Sequence, residues 1–322
     1  MREAVPNSQN SSNPDQQWFL IVNPASGNGK GAALQPVFER LMKSRGILAG
    51  VVQSTGPGHL MQLSAEAVSK GYRQIAILGG DGTANEVING FCKQKEVPST
   101  EITVGMLSVG TGNDWMRTVG MPSTPGLAID ALERGDFRWH DVGRLHFRTA
   151  KEDKAQLRYF INIAGGGFDG EVTRRVADWH GFFAGRKLAY WITILRTLFV
   201  YNRTETKIEV DDMPFKGSML SLAVGVCRYN GGGMMQLPEA DFSDGLLDVS
   251  IIGKMSTLEM VYRLPAMLDG SFTKLSAVKT ARGKKITLYS DPNIWVEVDG
   301  EIICKSPVEI DCIKRAFKVI VP

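Results

Sequence analysis

Arg73-Gln74-Ile75-Ala76-Ile77-Leu78-Gly79-Gly80-Asp81-Gly82-Thr83-Ala84-Asn85-Glu86-Val87-Ile88-Asn89-Gly90 is the stretch on which the fold is decided. Its first six residues are a short apolar run of buried-strand type, and Ala84 to Gly90 reads as a helix closed by a glycine. The residues between, Gly79 to Thr83, therefore make a strand-to-helix turn. Their three glycines, Gly79, Gly80 and Gly82, carry no side chain to block a ligand's approach to the backbone. The helix start offers free N–H groups and a partial positive charge to an anion. Phosphate is the favoured anion. Asp81 stands out, because a carboxylate repels phosphate unless it works through magnesium or accepts a proton from an attacking hydroxyl. Phosphate-cradling glycines with one acid suggest a kinase, although the same five residues would also serve as a tight turn with a capping Asp and Thr.

Working outward, the pattern repeats. Trp18-Phe19-Leu20-Ile21-Val22 is a buried-type strand running into Asn23-Pro24-Ala25-Ser26-Gly27-Asn28-Gly29-Lys30-Gly31 before a helix from Ala32 to about Arg45. That loop fits neither GxxxxGK[ST] nor GxGxxG, but Ser26, Gly27 and nearby backbone can hold a nucleotide phosphate. A strand near Leu48 to Ser54, a turn at Thr55-Gly56-Pro57-Gly58 and a helix from His59 to Lys70 follow. Beyond the central helix, Glu101 to Val109 reads as a strand ending in Gly110-Thr111-Gly112-Asn113-Asp114. Strands alternating with helices, each strand ending in a small-residue loop, predict an open parallel sheet with ligands at the carboxyl ends of its strands. Those loops should meet on one edge, with Thr55 joining them.

From about His140 the pattern changes to short strand-type runs: Leu157 to Ala164, Thr206 to Val210, Met219 to Cys227, Leu246 to Ile252, Lys284 to Tyr289, Asn293 to Val298 and Val308 to Cys312. A β-sandwich over 140–314 is expected to follow an α/β domain over 18–139, with a last strand in 315–322 able to return to the first domain. Helical stretches at Phe182 to Tyr201 and Leu258 to Leu268 interrupt it. Gly165 to Gly170 and Asn230 to Met234 are too rich in glycine for packing alone. Asp241 and Asp244 lie in an irregular loop that can offer oxygen ligands to magnesium or be an ordinary acidic turn. Asp299-Gly300-Glu301 reads first as a hairpin turn, and second as a general base at an interdomain cleft. The apolar stretch Phe182 to Tyr201 is either a core helix or a wall for a lipid tail, with Arg186, Lys187, Arg196 and Arg203 as a rim suited to anionic headgroups.

Composition excludes several classes. The net charge of +3 and the absence of a basic run give no nucleic-acid footprint. Cys92, Cys227, Cys304 and Cys312 form no framework, which fits a reducing cytoplasm, and the four histidines form no zinc motif. Residues 1–17 are polar and read as a disordered tail, not a signal peptide. The apolar stretch carries too many cations for a bilayer core.

Together these motifs resemble the diacylglycerol kinase catalytic-domain family, which includes bacterial lipid kinases and the sphingosine and ceramide kinases. The resemblance rests on an ordered series: Asn23 to Gly27, Gly79 to Thr83 with Asn85-Glu86-Val87, Gly110 to Asp114, Gly166 to Asp169, Asn230 to Met234, Asp244 to Asp248 and Asp299 to Glu301. It implies an N-terminal α/β domain binding ATP and magnesium, a C-terminal β-sandwich, and an active site in the cleft between them. By resemblance Asn23, Pro24, Ser26, Gly27, Thr55, Gly79, Gly80, Gly82, Thr83, Asn85, Glu86, Thr111 and Asn113 hold the nucleotide. Asp81 and Asp114 serve its phosphates and metal, and Asp241, Asp244 and the Leu246 carbonyl match a magnesium site. Asp299 and Glu301 match an acidic pair, and either Asp81 or Glu301 takes the hydroxyl proton. Ser108 stands where the family often has proline, a change expected to alter only loop stiffness.

The implied reaction moves the ATP γ-phosphate to a lipid hydroxyl at a membrane surface, by a cytoplasmic protein in peripheral contact with the inner face; a homodimer is compatible with the family. Two other readings stay open: an NAD kinase, which shares the Gly-Gly-Asp-Gly loop, and a non-catalytic lipid carrier built on the apolar helix.

Overall fold

The computed structural model describes residues 17–109, 113–149, 152–178 and 187–322. Gly110, Thr111 and Gly112, the polar tail and the start of the apolar stretch, including Arg186, lie outside the described residues.

The first half alternates as its sequence predicts. Strands β1 (Trp18–Val22), β2 (Leu48–Gln53), β3 (Gln74–Gly79) and β4 (Thr103–Ser108) are separated by α1 (Ser26–Ser44), α2 (His59–Ser69) and α3 (Asp81–Lys93); α4 (Asp114–Val119) and α5 (Pro125–Arg134) follow. The strands pair in parallel in the order β2-β1-β3-β4. Their near-continuous apolar sequences fit burial on both faces: all five residues of β1 and the last five of β3 are buried. Helices α1 and α3 both begin where strands β1 and β3 end, which brings the two glycine loops to the same sheet edge.

The second half is built from β5 (Phe137–Thr149), β6 (Glu152–Phe160), β7 (Ile163–Gly167), β8 (Thr204–Val210), β9 (Met213–Met219), β10 (Ser221–Gly225), β11 (Tyr229–Asn230), β12 (Met234–Met235), β13 (Leu247–Ile252), β14 (Val278–Gly283), β15 (Lys285–Asp291), β16 (Trp295–Val298), β17 (Glu301–Lys305) and β18 (Val308–Ile320). Helices α6 (Phe168–Ala177), α7 (Lys187–Val200) and α8 (Thr257–Arg263) interrupt the strands. One sheet runs β14-β13-β10-β7-β16-β17. The other continues the parallel sheet as β4-β18-β15-β8-β9, with β5 and β6 branching from β18.

The expected final strand does return, but as part of something longer. The stretches read as Val308 to Cys312 and Ala316 to Val321 are one strand, β18. It pairs antiparallel with β15 at its start and parallel with β4 at Lys318 and Val319, with β5 along its other edge. Leu157 to Ala164, read as one strand, is two, β6 and β7, bent at Ile161-Asn162. One apolar core cluster extends from Trp18 through Trp115 to Phe317 and Ile320.

Candidate active site

The residues of the two glycine loops are held by one another. Asn23 Nδ2 donates to Thr83 Oγ1 at 3.0 Å, tying the β1 loop to the β3 loop, and Asn23 Oδ1 accepts from the Ala25 N–H at 3.2 Å. Gly27, Asn28 and Gly29 all take positive φ, at 61°, 58° and 87°, which turns the start of α1 into a left-handed concavity of the kind that binds anions. A Cβ on Gly27 would stand 2.5 Å from the Val109 carbonyl oxygen, so glycine there allows the loops to approach. Pro24 sits in that turn, and Ser26 Oγ lies 3.5 Å from where a Cβ on Gly80 would be. Gly79 closes β3, Gly82 is in the first turn of α3, and Thr55 meets His59 Nδ1 through both its N–H and its hydroxyl at 3.0 Å. Glu86 Oε1 accepts from the Gly58 N–H at 3.3 Å, while Oε2 is buried with no partner among the described residues.

Asp81 and Asp114 form the junction of the two halves. Asp81 sits in the first turn of α3, and its two carboxylate oxygens accept from the N–H groups of Asp114 and Trp115 at 3.0 and 3.2 Å. These are orphan donors of the first turn of α4, so the acid of one strand-to-helix turn caps the helix of the next. Burial raises the Asp81 carboxyl above its ordinary value against the pull of those two N–H groups. Asp114 Oδ2 accepts from the Gly232 N–H in the second half at 2.7 Å; its Oδ1 is buried with no partner among the described residues. Burial pushes Asp114 up to about 6, with Asp81 adding repulsion. Asn113, at φ 54°, precedes α4 and accepts a 2.6 Å bond from Ser108 Oγ. Ser108 therefore does more than alter stiffness: its hydroxyl fixes the entry to α4, which proline has no group to do.

Asp299 and Glu301 sit differently from each other. Asp299 and Gly300, at φ 47° and 84°, are the two-residue loop of the β16–β17 hairpin, a type that asks for positive φ at both positions. The Asp299 carboxylate accepts from the N–H groups of Ile161, Asn162 and Ile163 at 2.9, 3.0 and 3.1 Å and from Asn85 Nδ2 at 2.6 Å. It holds the bend between β6 and β7, and burial raises it to about 6 against those four donors. Glu301 is half exposed and takes a 2.7 Å ion pair from Arg158, whose Nη2 also donates to Asn85 Oδ1 at 2.7 Å.

A cavity of about 390 Å³ lies beside this junction. Asp81, Asp114 and Asp299 stand in its wall, and Glu301 does not. Its apolar lining comes from α6, α7, α8 and the sheet behind them, including Phe168, Val172, Ile194, Leu198, Leu220, Met255 and Met260. Two further acids line it to which the sequence reading gave no role. Asp169 accepts from Gln236 Nε2 at 3.1 Å, and burial pushes it up to about 6. Glu297, 1% exposed, accepts from the Gly300 N–H at 2.8 Å and from Asn230 Nδ2 at 3.4 Å, and burial pushes it up to about 8. A Cβ on Gly165 would lie 2.5 Å from Glu297 Oε1, which explains part of the glycine run there. The signal for Glu297 was a charge between two buried valines, in a strand whose second face meets α6.

Asp241, Asp244 and Leu246 share the 241–246 loop. Asp241 pairs with Arg138 at 2.9 Å and with Ser243, and Asp244 pairs with Arg282 at 2.5 Å while accepting from the Leu246 N–H. Both ion pairs are partly exposed. Among the described residues no group of three His, Cys, Asp or Glu is placed to hold a metal ion.

A parallel α/β sheet joined to a β-sandwich, with acids and a cavity at the join, defines a two-domain kinase fold of the NAD-kinase type. A yeast NADH kinase complexed with NADH shares it with a TM-score of 0.52 at 12% identity, over 95% of this chain and 83% of that one. A diacylglycerol kinase from Bacillus anthracis superposes with a TM-score of 0.70 at 20% identity, over 95% and 97%. Residues 17–145 match the diacylglycerol kinase catalytic domain, and residues 162–321 match the YegS C-terminal NAD kinase beta sandwich-like domain. A Mycobacterium tuberculosis protein named diacylglycerol kinase is 29% identical over 307 residues, 94% of each chain; the Bacillus subtilis protein of that name is 27% identical over 304 residues, 94% of this chain and 95% of its own. The chain belongs to the diacylglycerol kinase catalytic-domain family and is a kinase.

Proposed function

We propose that the protein transfers the γ-phosphate of ATP to a hydroxyl of a lipid, diacylglycerol being the first to test because the curated relatives carry its name. The observation that carries this reading is the cavity. Its walls are apolar like a lipid tail's surroundings, yet two of its lining acids, Asp81 and Asp114, begin the helices that follow the phosphate-loop strands. A lipid tail lying among Ile194, Leu198 and Met260 would place its head at those acids, beside the nucleotide loops.

In this reading the Gly27–Gly29 concavity and the N-terminus of α3 cradle the nucleotide phosphates, with Asn23 and Thr83 holding the two loops in register. Asp81 accepts the proton as the lipid oxygen bonds to the γ-phosphorus and ADP leaves. Burial raises its carboxyl, which makes it a stronger base than an exposed aspartate. Glu301, outside the cavity wall and paired with Arg158, positions Asn85 instead. The open Asp114 Oδ1 beside Asp81 fits a magnesium ion, which would neutralise charge on the transferring group. Asp241, Asp244 and the Leu246 carbonyl are a second candidate for that ion.

The test offers labelled ATP with magnesium to micelles of several hydroxyl lipids, and separately to NAD, then partitions the product. Label in the organic phase supports the lipid reading and identifies the acceptor class. Label on NAD, or none on any lipid while ATP is bound, overturns it.

A further inference from the structure

The cavity has a polar end that the transfer step does not use. Glu297, 1% exposed, and Asp169 on α6 stand in its wall and are joined through two amides. Gln236 Nε2 donates to Asp169 at 3.1 Å, and Asn230 Nδ2 donates to Gln236 Oε1 at 3.3 Å and to Glu297 Oε1 at 3.4 Å. Asn162, whose N–H is held by Asp299 two residues beyond Glu297, stands in the same wall. Its side chain is 4% exposed, and its Oδ1 is buried with no partner among the described residues. A buried acceptor left open costs free energy until a ligand or water meets it, so this end of the cavity suits polar atoms rather than a tail.

It also lies close to the acids at the junction. Asn230 reaches Glu297, and Gly232, two residues on, donates its N–H to Asp114. Two residues span no more than about 7 Å. A lipid whose hydroxyl sits at Asp81 and Asp114 therefore brings the atoms next to that hydroxyl within reach of Glu297.

The chemistry of those atoms follows from the partners of Glu297. Both of its hydrogen bonds are received, from the Gly300 N–H at 2.8 Å and from Asn230. The titratable groups facing it, Asp169 on α6, Asp299 in its own hairpin and Tyr190 on α7, include no cation. Burial pushes its carboxyl up to about 8, so at neutral pH it holds a proton that neither bonded donor can accept.

We propose that Glu297 is a specificity-determining residue: its carboxyl donates a hydrogen bond to the carbonyl oxygen of an acyl group carried beside the reacting hydroxyl. The cavity accordingly prefers acylated acceptors, esters or amides, over ethers and plain alcohols. The proposal rests on the lipid-kinase reading and deepens it by naming what the head must carry.

Binding to the whole protein is measured by calorimetry for dihexanoylglycerol, its dihexyl ether and a short-chain ceramide, with transfer from labelled ATP followed in parallel. Wild type should favour dihexanoylglycerol over the ether about tenfold in affinity and in KM, with kcat little changed. That preference should fade above about pH 8 as the proton leaves Glu297. Glu297→Gln keeps a donor, so it should keep the preference and lose its pH dependence, whereas Glu297→Ala should bind ester and ether alike. Ceramide bound more tightly than the ester supports the same donor and makes the carbonyl an amide's. Equal binding of ester and ether by wild type overturns the proposal without any variant. So does a Glu297→Gln protein that is folded by circular dichroism yet has lost the preference, since the site would then read a charge. An ester preference in binding with no transfer to any acceptor leaves the role of Glu297 standing and removes the kinase reading alone.

Discussion

Asn85 on α3 and Asp299 in the β16–β17 hairpin join the two halves of the molecule through a 2.6 Å hydrogen bond, and the same carboxylate gathers three backbone N–H groups at the bend between β6 and β7. A group so fully engaged holds the cleft in shape. Asp299→Ala leaves those donors without their acceptor and removes the short polar side chain that favours the left-handed backbone at φ 47°. The expected loss is on the order of 3 kcal/mol of stability, read by urea denaturation. A loss below about 0.5 kcal/mol would show that water replaces the carboxylate without cost.

Asp81 and Glu301 separate by their places. Asp81→Asn should lower turnover by about a thousandfold, and thermal unfolding should show the loss of no more than about 1 kcal/mol of helix capping at α4. Glu301→Gln, at a half-exposed site outside the cavity wall, should lower turnover less than about tenfold. The reverse ranking would move the proton acceptor to Glu301.

Glu297 makes stability depend on pH in a stated direction. Its folded carboxyl is raised from 4.5 to about 8, so the native state keeps a proton that the unfolded chain releases. That contribution is complete below pH 4.5 and is lost as pH rises to about 8. Glu297→Gln, which imitates the protonated acid, should flatten this stretch of the stability profile and make the protein on the order of 3 kcal/mol more stable than wild type at the alkaline end. Denaturation at several pH values, with wild type and variant in parallel, decides it; parallel profiles would mean that Glu297 titrates normally.

Leu198→Trp narrows the cavity from its α7 wall. Long-chain lipids should lose at least about tenfold in kcat/KM, while ATP binding by calorimetry and transfer to a short-chain acceptor persist. The overpacking should cost about 1 to 3 kcal/mol, visible as a lower Tm. Unchanged kcat/KM for the long-chain lipid would place the tail elsewhere.

The strand, glycine loop and helix units were legible because each is local: burial on both faces makes β1 and β3 continuous apolar runs, and the loops must follow them. Asp81 could be singled out for the same reason, as an acid among loop glycines. Its bonds to the N–H groups of Asp114 and Trp115 could not, since they join turns 33 and 34 residues apart. Glu297 was hidden by its neighbours, because Val296 and Val298 made β16 look like an ordinary strand. The partners of Asp241 and Asp244 were not legible either, since Arg138 and Arg282 reach them from distant strands.

The seam strand β18 has a consequence for how the protein is made. The parallel sheet lacks the neighbour of β4 until Lys318 and Val319 have left the ribosome. The N-terminal half, although synthesised first, therefore stays unfinished along one edge during translation of the entire second half. Loss of the last few residues, at the far end of the sequence from the glycine loops, would damage the sheet that carries them.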